Sequence, residues 1–204
     1  MIIIGAGLAG LLAGNMLASR RPLVVEVQAS LPNNHSAVLR FRSSVVGDVT
    51  SIPFKKVTLV KCVLPWLNPV ADALAYAFKN TGYYKSDRSV TAGTVVSERF
   101  IAPPDLITRL AQRCEIDLGH AVTTLQLKQW KDDGMPVIST MPMPVLMKLL
   151  GYPEVTFSSA PGYNILAHVR DCDAYVSLVC PDPGLPFSRI SLCGNEMIIE
   201  CPGF

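Results

Sequence analysis

The chain has 204 residues, half of them apolar and 17% charged, with a formal net charge of +2. That length admits one domain or two small interwoven ones, with apolar mass enough for a substantial core. So small a charge does not point to nucleic acid or an anionic membrane, and neither partner is expected; the low share of charged residues points to a homo-oligomer or a partner chain that covers part of the surface.

The first 28 residues carry the densest pattern. A short apolar run, Ile2 to Ile4, enters a turn made by Gly5, Ala6, Gly7, Leu8, Ala9 and Gly10. A helix-like stretch follows, then a second apolar run from Leu23 to Val27 with Glu26 near its end. Strand, glycine turn, helix, strand and acid, in that order, form the fingerprint of a dinucleotide site. Gly5 permits the tight turn out of the strand. Gly7 lets the backbone approach a pyrophosphate, and Gly10 lets the helix lie against the sheet. The helix N-terminus offers free N–H groups and a partial positive charge to phosphates. Glu26 lies 21 residues beyond Gly5, the reach of an acceptor for a ribose hydroxyl. An acid there favours a free 2′-hydroxyl, because a 2′-phosphate would call for an arginine. Arg20 and Arg21 precede Pro22 and read as the stop of the helix.

Residues 29–50 begin as a turn around Pro32, Asn33, Asn34 and His35, then read as a strand from Ala37 to Ser43. Strand alternation places Arg40 and Arg42 on one face, where two guanidinium groups call for an anion such as phosphate. Residues 51–90 mix prolines with helical runs. Asn68 as cap and Pro69 at the first position open a helix to Phe78, and Asn80 and Gly82 close it. Residues 57–78 look apolar, but Lys61, Pro65, Pro69 and Asp72 interrupt them and make a poor membrane span. The first strand starts at residue 2 and leaves no room for a leader, so a cytoplasmic, non-membrane protein is expected. Tyr83 to Ser97 reads as a loop or a strand pair.

Pro103 to Arg113 forms a helix with Leu106, Ile107 and Leu110 on its apolar face. Glu115 to Leu118 and Ala121 to Leu127 read as strands with Gly119 between them. Asp132-Asp133-Gly134 is a turn, Pro136 to Thr140 a strand, and Val145 to Leu150 a short helix. From Val155 to Cys201 the chain is mostly strand-like, and Gly194-Asn195 signals a hairpin.

Six cysteines, at 62, 114, 172, 180, 193 and 201, form no Cys-x-x-Cys pair and join no histidine cluster, so reduced structural thiols are expected and no metal site. His120 and His168 lie in strand-like context and read as structural groups. His35, beside its turn, is the weaker candidate for contact with a small-molecule substrate. The architecture that follows is a Rossmann-like parallel α/β core with a smaller, antiparallel, strand-rich substrate part. Residues 1–50 and 100–150 would form the nucleotide part, and 51–99 and 151–204 the substrate or cap part.

The N-terminal motif with Glu26 resembles the FAD-binding βαβ unit of the glutathione-reductase-like flavoproteins. Residues 98–125 resemble the helix and strands that close the adenine pocket there. Residues 137–150 resemble the strand-to-helix crossing of the amine-oxidase, phytoene-desaturase and UDP-galactopyranose-mutase group. The resemblance implies an FAD-dependent oxidoreductase or a redox-neutral flavoenzyme, with Gly5 to Gly10 on the pyrophosphate and Glu26 on the ribose. It implies that the backbone of Val122 meets the adenine and that Thr140 and Met141 pass near the cofactor. It also implies that an arginine of the strand-rich part, Arg189, approaches substrate or flavin. In place of the family's Gly-Gly-Arg turn stand Asn33-Asn34-His35 and then Arg40-Phe41-Arg42, so Arg40 or Arg42 would take that arginine's place near the pyrophosphate or flavin. The family's second Gly-Asp motif is not found before Phe204, so either a natural minimal form or one whose C-terminal motif is missing is expected, and a partner chain could complete the flavin site. An NAD-dependent dehydrogenase suits Glu26 equally well. A non-catalytic nucleotide-binding or assembly protein is the third alternative.

Overall fold

Three isoleucines in a row, Ile2–Ile4, form β1, and all three are buried. A continuous apolar run of this kind suits a strand covered on both faces. We describe the chain from a computed structural model that covers residues 1–31, 40–65, 67–84, 93–152, 161–170 and 172–203. The chain divides into two compact units. The first takes Met1–His35, Ser44–Phe54 and Ala102–Phe157, and the second takes Ser36–Ser43, Lys55–Ile101 and Ser158–Phe204.

The first unit is built on a parallel sheet of four strands. β1 is flanked by β2 (Leu23–Glu26) and β7 (Val137–Ser139), and β6 (Glu115–Leu118) lies outside β2. Ile3 sits opposite Val24 and Ile138 in this register. One face gathers Ile2, Ile4 and Val25, with Leu23, Val122, Leu127, Trp130, Val137 and Met141 packed against them. Helix α1 (Leu8–Met16) packs on helix α4 (Leu106–Ala111), and Leu11, Leu106 and Leu110 are fully buried. Asn15 ties the pair together, since its amide nitrogen donates to Leu11 O at 2.9 Å and Leu110 O at 3.0 Å. Helices α2 (Val45–Thr50), α5 (Thr124–Asp132) and α6 (Met143–Leu149) complete the unit.

Two expectations change here. Ala121 to Leu127 is not a strand: residues 121–123 are a loop, and α5 begins at Thr124. Thr123 and Gln126 form a reciprocal capping box that satisfies the leading amides of the helix. The local Thr-x-x-Gln signal outweighs the β-branched run before it. The helix expected from Pro103 to Arg113 is likewise shorter, because residues 103–105 are spent on entry to α4.

The second unit is a seven-stranded sheet in the order β3-β5-β4-β9-β10-β11-β8. Its strands are β3 (Arg40–Phe41), β4 (Lys55–Val63), β5 (Thr94–Ile101), β8 (Gly162–His168), β9 (Ala174–Val179), β10 (Arg189–Gly194) and β11 (Glu196–Pro202). Neighbours are antiparallel except β4 and β9, which are parallel. The sheet curls. Arg40, on the first strand of the order, donates a hydrogen bond to Ser191, on the fifth. In a flat sheet four spacings would hold their strands about 19 Å apart, beyond an arginine's reach.

Helix α3 (Pro69–Thr81) starts as its sequence predicts. The Asn68 side chain accepts from the Val70 and Ala71 amides, and Gly82 closes it in the left-handed conformation at φ +75°. It runs three residues beyond the expected Phe78. The nine-residue strand β4 replaces the first of the helical runs expected in residues 51–90: Val57, Leu59 and Val63 are buried at strand spacing. The strand expected from Ala37 to Ser43 is described only over Arg40–Phe41, with Ala37 to Leu39 outside the described residues, and Arg42 lies in the bend that follows. Arg40 and Phe41 fall in the stretch 1–50 expected for the nucleotide part, yet they pair with Ile101 and Phe100 in the second sheet. The Gly194-Asn195 hairpin joins β10 to β11. No helix of the described residues is long and apolar enough to cross a membrane.

Candidate functional site

The site grows from the end of β1. Gly5 leaves the strand at φ +98°, a conformation that only glycine adopts without strain. Its N–H donates to Val25 O at 2.8 Å. A Cβ on Gly5 would stand 2.7 Å from Thr140 Oγ1, and one on Gly10 would stand 1.8 Å from Gly5 O. Both positions are therefore closed to any side chain. Gly7 is different: a Cβ there would meet nothing within 4 Å. The backbone at Gly7 faces open space.

That space lies at the start of α1. Gly7 caps the helix without a side-chain hydrogen bond, and the first turn carries no acidic residue. The amides of Leu8, Ala9 and Gly10 precede the first intrahelical bond, from Leu11 N–H to Gly7 O at 3.0 Å. Unpaired amides and the positive end of the helix dipole suit an anion.

Glu26, at the end of β2, closes over the same loop. Its Oε2 accepts the Ala6 N–H at 2.6 Å and its Oε1 accepts the Gln28 N–H at 3.0 Å. The carboxylate is half-buried and keeps lone pairs for further donors such as ribose hydroxyls. Thr140 follows β7. Its N–H donates to Ile4 O at 2.8 Å, and its hydroxyl lies 3.0 Å from Ile4 O and 3.1 Å from Gly5 O. Thr140 thus fastens the glycine turn to the neighbouring strand.

Val122 and Met141 pack their side chains on the Ile2, Ile4 and Val25 core. The loop that carries Val122 is anchored beside Glu26 by His120, whose N–H donates to Glu26 O at 2.8 Å. The His120 ring engages Asp117 Oδ2 at 2.6 Å through Nδ1 and Gln126 Nε2 at 2.9 Å through Nε2. These partners make His120 a structural group. Asp117 and Gln126 are not among the residues the sequence singles out, although the capping box at 123–126 is readable in it. Ser139 carries no signal in the sequence either. Its hydroxyl is buried without a partner at the carboxyl end of β7, in register with Ile4.

The arginines lie in the second unit. Arg40 Nη2 donates to Ser191 Oγ at 3.1 Å, while Nη1 is buried without a partner. Burial, and next the like charge of Arg189, pull the Arg40 pKa down. Arg42 is exposed. The pairing of Arg40 with Arg42 on one strand face is therefore not found, because the strand ends at Phe41. Arg189 sits opposite Glu200 and binds it through Nε at 2.8 Å and Nη2 at 2.6 Å, so its charge is answered within the sheet. His35 lies outside the described residues. The six cysteines are free.

No family model and no curated protein matches the chain. Solved structures do. An oxidoreductase from Methanosarcina mazei matches with a TM-score of 0.61 at 11% identity, over 100% of this chain and 78% of that one. Glycine oxidase from Geobacillus kaustophilus matches with a TM-score of 0.53 at 14% identity, over 100% of this chain and 71% of that one. Aklavinone-11 hydroxylase, solved with FAD and aklavinone, matches with a TM-score of 0.52 at 14% identity, over 98% of this chain and 45% of the hydroxylase. Identities this low establish the fold alone: a Rossmann-like parallel α/β sheet with a separate curled, mixed β-sheet. The chain spans between 45% and 79% of the length of the similar structures.

Proposed function

We propose that the chain binds FAD and works as a flavoprotein oxidoreductase on a small molecule. The observation that carries the reading is the Gly7 cradle: open space before an uncapped helix N-terminus, bordered by the Glu26 carboxylate on the Ala6 amide at 2.6 Å. In this reading the Leu8, Ala9 and Gly10 amides hold the pyrophosphate, and Glu26 accepts the ribose hydroxyls. Val122 borders the adenine, and Thr140 and Met141 keep the turn in place. Bound flavin supplies the redox chemistry, and the protein binds, orients and tunes it. The similarity to oxidoreductases of the same fold supports FAD over NAD as the first choice. Purified protein is expected to bind FAD and show a band near ~450 nm, a property of the oxidised cofactor. Parallel calorimetric titrations with FAD and NAD test the reading. If FAD gives no heat and the protein stays colourless, the reading fails, and NAD binding alone would replace it with a nicotinamide enzyme.

A further inference from the structure

We propose that Arg40 and Ser191, on the curled second sheet, bind the carboxylate group of a small acid with an apolar body. Arg40 is a half-buried guanidinium with an unused donor: Nη1 is buried and unpartnered, and Nη2 rests on the Ser191 hydroxyl at 3.1 Å. Among the described residues no carboxylate forms an ion pair with Arg40. A cation removed from water without a counter-ion is unstable, and a bound anion offsets that cost.

The charged and titratable groups around Arg40 come from three strands: Arg189 and Cys193 on β10, Glu200 on β11 and Arg99 on β5. Arg189 is already engaged by Glu200. Arg40 is left as a positive centre whose Nη1, with its two N–H groups, is unpartnered. Ser191 accepts from Arg40 and keeps its own hydroxyl proton to donate. One N–H and one O–H side by side match the two oxygens of a carboxylate. A phosphate dianion would meet the Glu200 carboxylate with twice the charge, so the monoanion is favoured.

The apolar body follows from register. Arg40 pairs with Ile101 and Ile101 with Lys55, so Val57 and Leu59 share the Arg40 face by strand alternation. Ser191 pairs with Ile198 on the other side. Val57, Leu59 and Ile198 are all buried. Calling this acid the substrate rests on the flavoprotein reading, whereas the binding of the carboxylate does not.

The test uses benzoate as the probe, with phosphate and chloride at equal ionic strength. Wild-type protein is expected to bind benzoate by calorimetry and to melt at a higher temperature in its presence. Arg40→Met removes an uncompensated charge and should fold with an unchanged or raised melting temperature, while its benzoate affinity falls at least about tenfold, the loss of a charge-assisted bond. Ser191→Ala is the second variant, with a smaller loss, and it carries the test if Arg40→Met does not fold. Equal benzoate binding by wild type and both variants overturns the proposal, as does a wild-type response no larger than that to chloride or phosphate. FAD titrations on the same samples separate the two readings. Lost FAD affinity with intact benzoate binding in Arg40→Met makes Arg40 a cofactor ligand and overturns the proposal. Benzoate binding by a protein that takes no FAD overturns only the flavoprotein reading.

Discussion

The Glu26 carboxylate accepts the backbone N–H of Ala6 at 2.6 Å, across 20 residues of chain. The bond joins the second strand to the glycine turn. It places the acid that suits a ribose beside the amides that suit a pyrophosphate. In the proposed reading Glu26 therefore has two duties, one in the fold and one toward the nucleotide, and substitution should separate them.

Glu26→Gln keeps the length of the side chain and an oxygen for the Ala6 amide, but it removes the charge. Glu26→Ala removes both. FAD affinity should fall by roughly 1–3 kcal/mol in Glu26→Ala and by less in Glu26→Gln, the range of charge-assisted hydrogen bonds. Unfolding free energy should fall by about 1 kcal/mol in Glu26→Ala, where the Ala6 amide loses its acceptor. Calorimetry and urea titration read the two effects independently. Unchanged FAD affinity in both variants would remove Glu26 from the site.

The glycines of the turn should behave in opposite ways. Gly10→Ala drives a methyl to 1.8 Å from the Gly5 carbonyl, and backbone cannot give way as a flexible side chain does. Its loss of stability should reach about 3 kcal/mol, the upper range for overpacking. Gly7→Ala meets nothing within 4 Å and keeps an ordinary extended φ of −69°. Its stability should stay within about 0.5 kcal/mol of wild type, while its methyl occupies the space where a pyrophosphate would lie and weakens FAD binding. A Gly7→Ala protein that binds FAD as tightly as wild type would show that the cofactor does not use this cradle.

These two glycines also show what a sequence displays. Gly5, Gly7, Gly10 and Glu26 announce a βαβ turn because each answers a local backbone demand. The Asn68, Pro69 and Gly82 signals of α3 are local in the same way. The β4 strand was hidden because its central place between β5 and β9 is fixed by partners far away in the chain. The neighbours of Arg40 were hidden for the same reason: Ser191 is 151 residues away and reaches it only because the sheet curls. The Asp117–His120–Gln126 chain lay between the two cases, since its capping box is local but its link to Glu26 is not.

Thr123 offers a direct measure of that local signal. Thr123→Ala removes the side-chain acceptor for the Gln126 amide and the hydroxyl that donates to Gln126 Oε1, while the backbone N–H of residue 123 still holds the Gln126 side chain that meets His120. The loss should be about 1 kcal/mol, as for other cap removals. Thr123→Ser keeps the hydroxyl and should recover most of it in urea titrations. Equal stability of Thr123→Ala and wild type would mean that the cap contributes nothing to the fold.

Lys79 gives the fold a pH dependence of its own. It is buried on α3, where its ammonium donates to Cys180 O at 3.2 Å and Asp182 O at 2.7 Å. Cys180, Asp182 and Cys201 are the titratable groups that face it. Burial lowers its pKa below the ordinary 10.5 and outweighs the opposing pull of those groups. Between the lowered value and 10.5 the unfolded chain holds more protons than the folded one, so this lysine's contribution to stability rises with pH. The buried Cys180 thiol, raised above 9.0, acts in the opposite direction, because there the folded chain holds the extra proton. Lys79→Met keeps that thiol and loses only the ammonium. The unfolding free energy of wild type minus that of Lys79→Met should therefore increase as the pH rises toward 10.5 in urea titrations. A difference that stays flat across this range would mean that Lys79 keeps its ordinary affinity for the proton, and that its two carbonyl acceptors fully offset its burial.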